Sequence, residues 1–159
     1  MRAIHLFLIA AMVGAELILG IVVAPLVFYP QSFIGEGVLS HFQSGLIMTQ
    51  IFVKMGYVLL GVATVGACYE GFSFFQKDKE LSFQLRFSKF ALSLLIFILA
   101  LIFVFYFSAY IIHAQNLGES ATQSEEFARM HKASEVVIKI IAMMQIFLFF
   151  LSFKIAKKD

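Results

Sequence analysis

Four long apolar runs separated by charged segments leave this chain few ways to fold. They cover Ala3–Phe28, Leu46–Tyr69, Phe90–Ile112 and Glu135–Phe153. At ~1.5 Å of rise per helical residue, each has about the length needed to cross a hydrocarbon layer of ~30 Å. A membrane β-barrel would instead show alternating segments of ~10 residues, and the sequence has none. The expected fold is therefore all-α: an antiparallel, up-and-down four-helix bundle embedded in the lipid bilayer, one domain over residues 1–159. Composition agrees. Hydrophobic residues make up 61% of the chain and charged residues only 14%, with 20 Phe, no Trp and two Pro, far from the balance of a soluble domain.

The first run follows Met1-Arg2 and resembles a signal peptide. Its length exceeds the roughly 7–15 residues of a cleavable apolar region, so it reads as a retained first helix. Charge placement sets the expected orientation. Arg2 precedes the first run. Lys77, Lys79, Arg86 and Lys89 lie between the second and third. Lys154, Lys157 and Lys158 follow the fourth. The Tyr29–Gly45 loop has no Lys or Arg, and 114–134 has only Arg129 and Lys132. The positive-inside rule then puts both termini and the middle loop in the cytoplasm, in an inner (cytoplasmic) membrane.

The loops differ in character. The first contains Pro30, Gly35, Gly37 and His41, and Pro25 in the last turn of the first run should loosen the helix end there. The second, Gly71–Lys89, mixes Phe72, Phe74, Phe75, Phe83 and Phe87 with basic residues, which suits the headgroup region of a membrane better than nucleic acid. The third is polar, and from Glu125 onward it looks helical and runs into the fourth span. Residues four apart in the first run (Ala10 and Gly14, Ala11 and Ala15, Gly20 and Ala24), with Gly56, Gly61 and Gly66 in the second, suggest faces where helices approach closely. Cys68 is the only cysteine, which rules out an internal disulfide; it reads as a small buried apolar residue.

Ionisable residues inside the runs carry the functional reading. Glu16, Lys54 and Lys139 each face a cost of about 2.5–3.5 kcal/mol near the bilayer centre unless paired, wetted or neutralised. Their depths allow a Glu16–Lys54 pair between neighbouring antiparallel helices. Helical spacing extends them into stripes: Gln50, Lys54, Tyr57, Gly61 and Thr64; His131, Glu135, Lys139, Ala142 and Gln145; Tyr106, Tyr110 and His113. These stripes are expected to point inward. The candidate intramembrane site is Glu16, Gln50, Lys54, Tyr57, Glu135 and Lys139, with His41, His113, His131 and Ser134 at the outer face. The competing reading is a buried ion pair that only fixes helix register.

No nucleophile elbow, zinc-protease signature or phosphate-binding loop is present, so soluble-type catalysis has no support and no catalytic residue is assigned. The histidines lack local ligand spacing. His5 is at the opposite end from the other three, so only His41, His113 and His131 could hold a metal or haem, and no cofactor is predicted.

Ala24-Pro25-Leu26-Val27-Phe28, then Phe42-Gln43-Ser44-Gly45 running into Ile51-Phe52, and Phe127, His131 and Ser134 near the end, resemble the family typified by transmembrane protein 205. The resemblance implies four membrane-spanning helices and singles out Pro25, Phe28, His131 and Ser134. A link between the family's animal member and platinum-drug tolerance implies export or trafficking. Three functions are in view: binding or passing a small solute or ion through the polar site, aided by homo-oligomerisation; a non-catalytic assembly or scaffold subunit; and a metal- or haem-binding redox protein. The expected partners are the lipid bilayer, a second copy of the chain and an unidentified small solute or ion, and not nucleic acid.

Overall fold

The computed structural model describes residues 2–76 and 82–156; Lys77, Lys79, Lys157 and Lys158 lie outside them. The fold is all-helical, and four helices are long and apolar enough to cross a membrane. They are α1 (Arg2–Phe28), α2 (His41–Phe75), α3 (Phe83–Asn116) and α4 (Glu125–Ala156). Each packs against the next and α4 returns to α1. This is an antiparallel bundle in which α1 and α3 lie diagonally across from each other, as do α2 and α4. One-turn helices at Gln31–Ile34 and Glu119–Thr122 decorate the connections at the far end from the termini.

The helices outrun the apolar stretches because their ends are capped. Ser40 accepts from the Gln43 backbone N–H at 3.1 Å, while the Gln43 side chain accepts from the Ser40 N–H at 2.9 Å. This reciprocal box starts α2 at His41, so Phe42–Gly45 are helical rather than loop. Ser82 accepts from the Leu85 N–H and starts α3 at Phe83. Much of the aromatic-basic stretch is therefore helix. Its rings pack on one another, Phe74 stacked on Phe90 at 5.4 Å and Phe83 on Phe87 at 6.2 Å, and clamp α2 to α3.

α1 and α3 each contain one wide turn with π-type bonding, over Leu19–Val23 and Phe103–Ser108. The first has a clear cause. Pro25 has no N–H to donate back to Ile21 and its ring crowds that carbonyl, so the bonding slips and the Ala24 N–H donates to Leu19 O. The helix continues through Pro25 to Phe28 rather than fraying at the proline. In α3 the Ser108 hydroxyl donates to Phe103 O at 3.0 Å and occupies a carbonyl in the wide turn. Single π turns are frequent at functional sites, and these two lie at similar depth.

The core is formed by Ile9, Met12, Leu59, Ala63, Ile96, Ala100, Phe103, Val104, Ile141 and Leu148. Large apolar residues such as Phe7, Ile21 and Phe150 are exposed on the outside, as lipid-facing positions are. Apolar burial gives little drive between helices in lipid, so close backbone approach has to supply it. Gly56 and Gly66 do this. A Cβ at Gly56 would lie 3.1 Å from Val104 Cγ2, and one at Gly66 would lie 3.4 Å from Ser93 Oγ. Gly14, Gly20 and Gly61 have open space instead, so these expected packing positions are not used within the chain. The expectation of a buried Cys68 is overturned too: it is exposed, because two residues along a helix place it on the side of α2 away from Gly66.

Candidate functional site

The buried face of α2 runs Met48, Gly56, Leu59, Ala63, Gly66 and ends on Glu70. This face is set by the small residues, so the helix rolls its Gly56–Gly66 side inward and carries Glu70 with it. The same logic on α3 leads from Ala100 and Ile96 through Ser93 to Lys89, and on α1 from Met12 and Ile9 to His5. On α4, Ser152 lies at the corresponding end. All four helices thus deliver a polar side chain to one level, at the end of the bundle that carries the termini.

Glu70 is the hub. Its Oε2 lies 3.1 Å from Lys89 Nζ. Its Oε1 lies 3.1 Å from His5 Nε2, within ion-pair range but without the alignment of a hydrogen bond. The Ser152 hydroxyl donates to Oε1 across 3.5 Å. Tyr69 covers the imidazole, with ring centroids 4.5 Å apart. Glu70 is 2% exposed, His5 3% and Lys89 5%. A carboxylate and an ammonium taken out of water are tolerable only when they meet, and here they do. The arrangement can hold four helices in one register, and it joins titratable groups in a connected chain.

The residues expected at an intramembrane site are placed differently. Gln50, Lys54 and Tyr57 are exposed on the outer side of α2, opposite its glycine face. Among the described residues no ion pair joins Glu16 to Lys54. Lys54 has its ammonium on a long stem that can reach toward the headgroups. Tyr106 and His113 on α3 are exposed too, and Tyr110 is intermediate. The expectation that polar stripes point inward fails because close packing of small residues, rather than polarity, chooses the inner face.

Glu16 is the exception. Both carboxyl oxygens are buried and meet no hydrogen-bond partner among the described residues. It lies ~16 Å along α1 from His5, at the level of Leu59, Ala100 and Ile141, each 0% exposed. Gln145 of the α4 stripe is also buried, and its Oε1 meets no hydrogen-bond partner among the described residues.

Toward the far end, Glu135 lies 3.3 Å from His131 Nε2 and 3.4 Å from Lys139 Nζ. These three are brought together, but along one helix edge, with Glu135 and Lys139 exposed and His131 half-buried. Phe127 stacks on His131 at 6.0 Å, and the buried Ser134 hydroxyl donates to His131 O at 2.7 Å. His41 is exposed beside Phe28, rings 5.5 Å apart. Among the described residues no group of three or more His, Cys, Asp and Glu is placed to hold a metal ion.

Sequence reasoning missed Glu70, Lys89, His5 and Ser152 because all four sit at or beyond the ends of the apolar runs, where charge normally meets water. One signal could have found them. The period of small and apolar residues on α2, prolonged by one step, lands on Glu70, and that on α3 lands on Lys89.

Comparison of the chain with curated proteins and with solved structures gives no match in either. A family model described as a domain of unknown function, DUF4149, matches residues 7–120. That region contains Glu16, Glu70 and Lys89, the Pro25–Phe28 segment, most of α1 and all of α2 and α3. His5, His131, Ser134 and Ser152 fall outside it. Matched over well more than half its length, the chain belongs to the DUF4149 family of domains of unknown function.

Proposed function

We propose that this protein is a non-catalytic assembly subunit of the inner membrane, with both termini cytoplasmic, whose bundle is closed and whose outer faces bind other membrane-embedded helices. The closed interior at Glu16 carries the proposal: the carboxyl oxygens are out of solvent's reach, at a level where α2, α3 and α4 each contribute a fully buried apolar residue. The outward Gln50, Lys54 and Tyr57 add support, because polar side chains on a membrane helix favour a protein neighbour over lipid. Kinship with transmembrane-protein-205-like proteins belongs to the same proposal, and a trafficking role suits an assembly subunit. In vesicles reconstituted with the purified protein and a trapped pH-sensitive dye, an imposed proton gradient should decay no faster than in empty vesicles. In native membranes, crosslinking should retain the protein in species larger than its 17.9 kDa.

A second reading rests on Glu16 itself. A carboxyl group inside a membrane bundle that meets no donor among the described residues is a candidate proton carrier, and buried Gln145 and Ser93 lie between its level and the Glu70 group. In this reading the protein passes a proton or small cation. Gradient decay above that of empty vesicles, abolished by Glu16→Gln, would replace the assembly reading with this one.

A further inference from the structure

The level at which Glu70 and Ser152 meet assigns a depth to every residue of α2 and α4. Both helices run toward the end bearing the termini, and they are diagonal in the bundle, so their outer faces look in opposite directions. At ~1.5 Å per residue, Lys54 lies ~24 Å from that level and Glu135 ~26 Å. Tyr57 and Lys139 both lie ~20 Å from it, and Gly61 and Met143 both ~14 Å. All six residues are exposed, and a Cβ at Gly61 would meet nothing within 4 Å.

We propose that the outer face of α2 in one copy of this chain packs in parallel against the outer face of α4 in the next. The occupant of each face is a second copy of the protein, an inference that rests on the assembly reading above. The pairing is complementary in charge and in size. The Lys54 ammonium meets the Glu135 carboxylate, which has acceptor sites beyond those used by His131 and Lys139. The Tyr57 ring meets the Lys139 ammonium, a cation–π geometry. Gly61 leaves the gap that Met143 fills, the small-against-large packing that membrane helices use. Pairing α2 with α2 about a two-fold axis would instead set Lys54 against Lys54, and like charges exclude that partner. Because the two faces differ and lie on opposite sides, the contact is head-to-tail and propagates into a ring or a row.

Mixed-cysteine crosslinking tests this in membranes. In a Cys68→Ser background, one copy carries Thr64→Cys on the α2 face and a differently tagged copy carries Phe147→Cys on the α4 face; both positions are exposed. A disulfide needs Cα atoms within about 7 Å, so the mixed pair should crosslink under mild oxidation while neither variant crosslinks to itself. Lys54→Glu should reduce the mixed product at least tenfold, and adding Glu135→Lys should restore it. Thermal unfolding of Thr64→Cys, Phe147→Cys and Lys54→Glu, each alone, should match the parent, since these side chains lie outside the bundle. Self-crosslinking of the α2 variant, absence of the mixed product, or capture only of a different protein overturns the proposal. The last of these leaves the assembly reading intact, whereas Glu16-dependent proton flux removes that reading independently.

Discussion

Two His–Glu–Lys groups occupy opposite ends of this bundle and teach different lessons. In His5–Glu70–Lys89, the carboxylate is 3.1 Å from both the imidazole and the ammonium, the residues come from three helices, and all are buried. In His131–Glu135–Lys139, the distances are 3.3 and 3.4 Å, the residues share one face of α4, and the side chains are 45–72% exposed. The chemistry is the same and the contacts differ by a few tenths of an ångström. What differs is surroundings and connectivity. The exposed group follows from i,i+4 spacing on a single helix. The buried group exists only once three helices have met, and its members have no solvent to fall back on.

The largest expected effect breaks the buried group at its hub. Glu70→Ala removes the one carboxylate that lies beside Lys89 and His5 among the described residues, and removing one member of a buried pair costs about 3–5 kcal/mol. Thermal unfolding in detergent and steady-state abundance in the membrane should both fall sharply. Glu70→Leu with Lys89→Met, which removes both charges, should recover much of the loss. A double variant as unstable as Glu70→Ala alone would mean that the pair matters for more than charge balance.

Packing next to the group comes second. Gly66→Val would push into Ser93 and the His5 ring, and overpacking of this kind costs about 1–3 kcal/mol. Gly61→Val, on the open face of the same helix, should leave the unfolding of the isolated protein near the parent. Equal losses at the two glycines would contradict the assigned rotation of α2.

A smaller effect is expected at Ser152. Its hydroxyl reaches Glu70 only at 3.5 Å, so Ser152→Ala should cost at most about 0.5–1.5 kcal/mol, read from the same unfolding curves. The smallest belongs to the exposed group. Lys139→Gln removes an exposed i,i+4 pair worth about 0.3–0.5 kcal/mol, and added salt should shrink the difference further. A salt-insensitive loss of several kcal/mol there would erase the contrast between the two ends.

The contrast also explains what could be read in advance. The exposed group was legible because Glu135 and Lys139 are four residues apart on one helix. Helix starts were only partly legible. The Ser40–Gln43 capping box extends α2 outward from its apolar run, while Gly71 and the rings after it extend the other end. Glu16 stood out as an acid amid apolar residues, but its neighbours did not. Glu70 and Lys89 were hidden by their position at the ends of the runs, and Lys54 misled because polarity inside an apolar run suggests an inward side chain. Gly56, Ala63 and Gly66 decided that rotation, and they turned Lys54 out.

By itself, the sequence determined that four helices would form, how long they would be to within a few turns, and that they would be apolar enough for a membrane, because length and local composition decide those properties. Which side of each helix faces its neighbours was decided only in the tertiary structure. In lipid that choice depends on how closely backbones can approach, and close approach is a property of pairs of surfaces. The meeting of His5, Glu70, Lys89 and Ser152 follows from that choice, since residues far apart along the chain share a level only after the helices have rolled into contact.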